Sequence, residues 1–161
     1  MTERVHFLGA AFSIAALAAI PLKARAQGTV STTSGKQYLK TEHGQGSAYS
    51  QAIVTAPGRT VWLAGQTGQH ADDGKLIVDF LGQAKQIFHL FEQSLSQVGG
   101  KITDIVEMTV YLKDIRYADQ FTTFRKAYFK ENFPTSAIIG TTALAQPEIL
   151  LEIQATAVIN T

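Results

Sequence analysis

The sequence predicts an α+β domain with two helices packed on one face of a sheet. Three observations carry this: a β-rich start, a switch to helical periodicity at Asp79, and a return to alternation near the C-terminus. Ser50 to Thr55 and Thr60 to Ala64 read as strands, and Ala56-Pro57-Gly58-Arg59 between them reads as a tight turn, hence a hairpin. Phe80, Ala84, Ile87, Phe91, Leu95 and Val98 recur at three- and four-residue spacing, as a helix with one buried face requires; Asp79 caps its start and Gly99-Gly100 its end. Phe88, Phe91 and Phe121 read as core. Ile105 to Leu112 alternates, with Val106, Met108, Val110 and Leu112 expected inward. Tyr117 to Glu131 reads as a second helix with Phe121, Phe124 and Tyr128 inward, stopped before Pro134. Ala137 to Thr142 and Leu150 to Val158 complete the order β-β-α-β-α-β-β.

Not all 161 residues belong to that domain. An apolar stretch from Leu8 to Leu22 precedes Lys23-Ala24-Arg25-Ala26, and its 15 residues fall short of the roughly 18 to 20 that cross a bilayer as a helix. Ala24-Arg25-Ala26 is the small-x-small pattern cut by signal peptidase, so residues 1–26 read as a secretory signal cleaved after Ala26. The expectation is a periplasmic or secreted protein with no stable membrane insertion. Residues 27–35 are small and polar and read as a flexible linker, leaving 36–161 as the domain.

Removing the leader leaves 11 basic and 12 acidic residues, a net charge of −1. Nucleic-acid affinity comes largely from neutralising phosphates, so this balance argues against a nuclease or repressor. There is no cysteine, which removes disulfides, thiol nucleophiles and Cys-based metal sites. His43, His70 and His89 lie on a polar segment, a loop and a helix without ligand spacing, so no metal centre is expected.

Five blocks go further: Ala48-Tyr49-Ser50-Gln51-Ala52, Leu63 to Gly68, Ile105 to Asp114, Phe133-Pro134-Thr135-Ser136 and Leu151 to Ala157. With these in order, the chain resembles the Rid (reactive intermediate deaminase, YjgF-like or RidA-like) family. The resemblance implies a chorismate-mutase-like α+β fold, a homotrimer with ligand clefts between subunits, and cofactor-free hydrolysis of small enamines or imines to a carbonyl compound and ammonia. It gives Glu152 the role of positioning water, and Tyr49 and Gly65 the aromatic and backbone sides of the cleft. Each cleft would take Tyr49 and Gly65 from one subunit and Glu152 from the other.

The family's carboxylate-binding arginine does not carry over. Its slot, two residues past Pro134, is Ser136, whose neutral hydroxyl cannot make a bidentate pair with a carboxylate. Arg125, on the second helix, is the nearby cation; it reads either as a replacement in the cleft or as a solvated charge beside Lys126. Each carried residue has a plainer reading too: Glu152 on a wet strand face, Tyr49 in core packing, Gly65 closing a turn. Two functions stay open, a small-molecule hydrolase and a non-catalytic trimer that holds a small metabolite.

Overall fold

The computed structural model describes residues 28–160, so the predicted signal and its cleavage site lie outside the described residues. Seven strands form two sheets. The first is β1 (Thr29–Thr33), β2 (Lys36–Lys40) and β3 (Ala52–Thr55), all antiparallel. The second has β4 (Arg59–Thr67), β5 (Ile105–Leu112), β6 (Thr135–Gly140) and β7 (Leu151–Ile159) in the order β4-β7-β5-β6. Only β5 and β6 run parallel, as the helical crossover between them requires. Among the described residues there are three α-helices, a short α1 (Glu42–Gly46), α2 (Phe80–Ser96) and α3 (Ala118–Phe129).

The predicted linker is largely a strand. Thr29 to Thr33 pairs residue by residue with Lys36 to Lys40, across a turn in which Ser34 and Gly35 both take positive φ (49° and 70°). That is the turn whose twist suits a two-residue hairpin. Its residues are mostly exposed, so backbone pairing rather than burial makes the strand, and no apolar pattern announces it.

The predicted hairpin is also corrected: β3 and β4 are consecutive but lie in different sheets. The Ala56 N–H that would begin their pairing donates instead to Gly35 O at 2.8 Å. Gly58 then crosses the end of β7 so closely that a Cβ there would stand 2.7 Å from Ile159 O. β3 therefore closes onto β2, and β4 onto β7.

The core lies between the four-stranded sheet and the two long helices. Phe80, Ala84, Ile87, Phe91 and Leu95 of α2 are buried as their spacing predicts, with Phe88 beside them, and Asp79 caps the helix by accepting from the Gly82 N–H at 2.7 Å. Val98, expected inward, lies past the helix end and is exposed. Phe88 meets Phe124 and Tyr128 edge-on at 5.0 and 4.6 Å, which joins α2 to α3. Beneath them lie Met108, Val110 and Leu112 of β5, and Leu151, Ile153 and Ala155 of β7. A bulge between Ile105 and Glu107 against β7 turns Ile105 inward in place of Val106. The opposite sheet face carries Glu107, Thr109 and Tyr111 of β5 and Glu152, Gln154 and Thr156 of β7. Among the described residues no helix is long and apolar enough to cross a membrane.

Candidate functional site

Glu152 sits near the start of β7, between Thr67 of β4 and Tyr111 of β5 in the ladder. Its neighbours Leu151 and Ile153 are buried towards the helices, which places Glu152 on the opposite face, half-buried. Beside it, β4 shifts register between Leu63 and Gln66, so Ala64 and Gly65 together face Gln154. Such a bulge re-aims the strand and leaves backbone groups outside the ladder. A Cβ built on Gly65 would stand 2.3 Å from Glu152 Oε1, so the absence of a side chain there is what admits the carboxylate. Among the described residues the Glu152 carboxylate enters no ion pair. It is a half-buried acceptor seated over the Gly65 backbone.

Gly65 and Glu152 therefore meet within one chain, on neighbouring strands. This corrects the expectation that they approach from different subunits.

Arg125 and Ser136 form a second pair. Arg125 is 1% exposed, which overturns its reading as a solvated helix charge. Its Nη1 donates to Ser136 Oγ, its Nη2 donates to Ser47 O at 2.9 Å, and its guanidinium lies 5.4 Å from the Phe121 ring centroid. The Nε has no hydrogen-bond partner, and no carboxylate among the described residues pairs with the cation. Desolvation pulls the guanidinium down to about 10, still protonated at neutral pH. A buried cation without an anion is costly, by about several kcal/mol once the surroundings relax, and the hydroxyl, the carbonyl and the aromatic face offset part of that.

Tyr49 belongs to the same corner as Arg125. The segment that carries it is tied to the start of β6 by Ser50, whose N–H donates to Pro134 O at 3.1 Å and whose Oγ donates to Phe133 O at 2.7 Å. Tyr49 packs edge-on against His43 with ring centroids 6.0 Å apart. His43, which has no metal-ligand spacing, thus adds a second aromatic ring to that corner; no sequence spacing signals the contact.

The two pairs are separate within a protomer. Ser136 is level with Met108 of β5 and shares its helix-facing side, whereas Glu152 is level with Tyr111 on the other side. Two strand spacings and three residues of rise put them about 10 Å apart in each direction. One chain brings together Gly65 with Glu152, and Arg125 with Ser136 and the Tyr49 segment, but does not join these into one cleft. Among the described residues no group of three or more His, Asp or Glu side chains is placed to hold a metal ion.

Comparison with known proteins shows what the chain as a whole is similar to. The profile of the family described as Endoribonuclease L-PSP matches residues 41–159. A RutC family protein of Pyrococcus abyssi is 29% identical over 110 residues, covering 68% of this chain and 84% of that protein. A 2-iminobutanoate/2-iminopropanoate deaminase of Dermatophagoides farinae is 25% identical over 97 residues, covering 60% of this chain and 74% of that protein. Among solved structures, a protein of the conserved Rid family from Yersinia pestis, YyfB, superposes with a TM-score of 0.69 at 26% identity, over 78% of this chain and 99% of that one.

Proposed function

The chain belongs to the Rid (YjgF/RidA-like) family, and on that premise we propose that it hydrolyses small reactive imines or enamines, with Glu152 orienting the attacking water. The observation that carries this reading is the Glu152 carboxylate seated over Gly65. A half-buried carboxylate can accept a proton from water while the oxygen attacks the C=N carbon of an imine, or of the imine tautomer of an enamine. The proton then passes to the nitrogen, the C–N bond breaks, and the products are a carbonyl compound and ammonia; water is the only co-reactant. The similarity to a protein named as an iminobutanoate/iminopropanoate deaminase supports the reaction class.

Ser136 and Arg125 set the substrate preference. A cation buried behind a hydroxyl offers less to a substrate carboxylate than a guanidinium standing in the cleft. 2-Aminoacrylate-type substrates are therefore turned over poorly, and neutral or weakly polar imines are preferred. The same observation favours a second reading, a small-metabolite binder without turnover.

Assembly as a homotrimer completes the site. Trp62 pairs across the ladder with Thr156, on the face away from the helices, and is 80% exposed. A large aromatic left open on a sheet face is suited to burial against another subunit. With the signal removed after Ala26, the protein works outside the cytoplasm, in the periplasm or secreted. RNA cleavage, which the family profile's description names, is disfavoured by the net charge of −1 beyond the leader.

The test is ammonia release from a panel of acidic and neutral imines and enamines, with purified protein and its Glu152→Gln variant. Turnover of neutral substrates that is lost in the variant supports the hydrolase. Binding without ammonia release favours the second reading, and an unimpaired Glu152→Gln enzyme removes Glu152 from the mechanism.

A further inference from the structure

We infer that the junction between the two sheets holds a second ligand site, built on the buried Lys36–Asp104 pair and suited to a small hydroxylated carboxylate. Lys36 opens β2 and is 1% exposed; its Nζ lies 3.0 Å from Asp104 Oδ1. The other Asp104 oxygen accepts the Lys101 backbone N–H at 3.0 Å. Both carboxylate oxygens are thus engaged, whereas an ammonium carries three donors and Asp104 uses one.

Two cavities adjoin the pair. A cavity of about 310 Å³ and another of about 180 Å³ both include Ser34, Lys36, Lys101 and Asp104 in their walls. Replacing a buried ion pair by well-packed apolar residues is often neutral or stabilising, so joining the sheets does not by itself require this one. Here the pair stands instead in the wall of two cavities, beside the more exposed Lys101.

Charge and wall chemistry select the ligand. Lys36 and Lys101 against Asp104 leave one positive charge, which a monoanion neutralises and a phosphate dianion overshoots. Tyr38, Thr103 and Asn132 in the smaller cavity supply hydroxyl and amide groups matched to ligand hydroxyls. The site is not the hydrolytic one. Ile159, in the wall of the larger cavity, lies seven residues along β7 from Glu152, about 23 Å at the strand rise. The inference therefore stands whether or not Glu152 is catalytic.

The experiment is an amide NMR titration of the purified protein with glycerate, inorganic phosphate and glycerol. Glycerate is expected to shift Gly99, Gly100 and Lys101 saturably, and Lys101→Ala to weaken it about tenfold, as loss of a charged partner does. The double variant Lys36→Met/Asp104→Leu, which removes both charges together, should stay folded and lose binding. Lys126→Ala, which removes an exposed cation of α3, should bind glycerate as the parent does. No shift at about 20 mM glycerate overturns the site. So does undiminished binding by the double variant or loss of binding in Lys126→Ala, and tighter phosphate binding overturns the carboxylate assignment. If the double variant does not fold, the Lys101→Ala titration decides.

Discussion

The Glu152 carboxylate occupies the place that a side chain on residue 65 would need. Oε1 lies 2.3 Å from the position of a Cβ on Gly65, closer than any real methyl group could stand. The requirement for glycine here is spatial: Gly65 has no positive φ to satisfy.

Gly65→Ala should therefore act on catalysis before stability. The added methyl meets the far end of a half-exposed side chain, which can swing away at little cost to the fold. A displacement of about 1 Å in a catalytic group can cost on the order of a hundredfold in rate. Ammonia release should fall by at least tenfold while the thermal midpoint stays within a few degrees, about 1 kcal/mol of stability. A fully active Gly65→Ala protein would show that Glu152 does not need this seat.

Arg125→Met should leave stability nearly unchanged, within about 1 kcal/mol, because two effects offset. Removing an unpaired buried charge is favourable, and leaving Ser47 O and Ser136 Oγ without their donor is not. Any acidic ligand at that corner should bind about 1.5 kcal/mol more weakly. Chemical denaturation and calorimetric titration read the two quantities separately.

The pH dependence of that same difference is fixed in sign. Burial lowers the folded-state value of Arg125 to about 10, below its unfolded value, so above that pH the unfolded chain holds the extra proton. The charge thus weighs against folding at neutral pH, and its burden is relieved as pH rises through about 10. The stability gap between parent and Arg125→Met should shift in the parent's favour over that interval. A gap that does not move through pH 11 would mean that the guanidinium keeps its ordinary value.

Ser136→Arg, which puts an arginine where the resemblance expects one, should harm this protein. The position faces the helices, already receives a hydrogen bond from Arg125, and is level with the fully buried Met108. A second guanidinium would meet the first at close range in a poorly solvated corner. We expect a loss of about 3 kcal/mol or more by thermal or chemical unfolding. Ser136→Ala should cost less than half of that.

Trp62→Glu tests assembly. If the sheet face bearing Trp62 is the subunit contact, a charge there should convert trimers to monomers by light scattering. A milder Trp62→Phe should keep the trimer. A parent protein that runs as a monomer sinks the shared face outright.

Some of this was legible in the sequence for a plain physical reason. α2 buries one continuous apolar stripe, and burial at helical spacing leaves a repeating trace in the chain. β5 shows the same at a period of two, until the bulge at Val106 shifts its first turn of alternation. β1 left no trace because its faces are mostly wet, and the partners of β3 and β4 are settled by contacts with Gly35 and Ile159 from distant parts of the chain. In the site, the Rid-like blocks pointed to Glu152 and Gly65, whose contact depends on local strand geometry. The burial of Arg125 was not legible, since an arginine between Phe124 and Lys126 has the same spelling in a solvated helix. Lys36 and Asp104 lie 68 residues apart, and nothing in either neighbourhood announces the other.

The division of strands into two sheets also implies unequal resistance to opening. The three-stranded sheet leaves Val30 and Val54 each 62% exposed, with Tyr38 as its one deeply buried aromatic, while the four-stranded sheet holds the packed core. Its β1 and β2 amides should then exchange with solvent deuterium well before those of β5 and β7, as a separate cooperative unit. The Lys36–Asp104 pair is the clasp of that unit, so whatever occupies the space beside it would slow exchange throughout the first sheet.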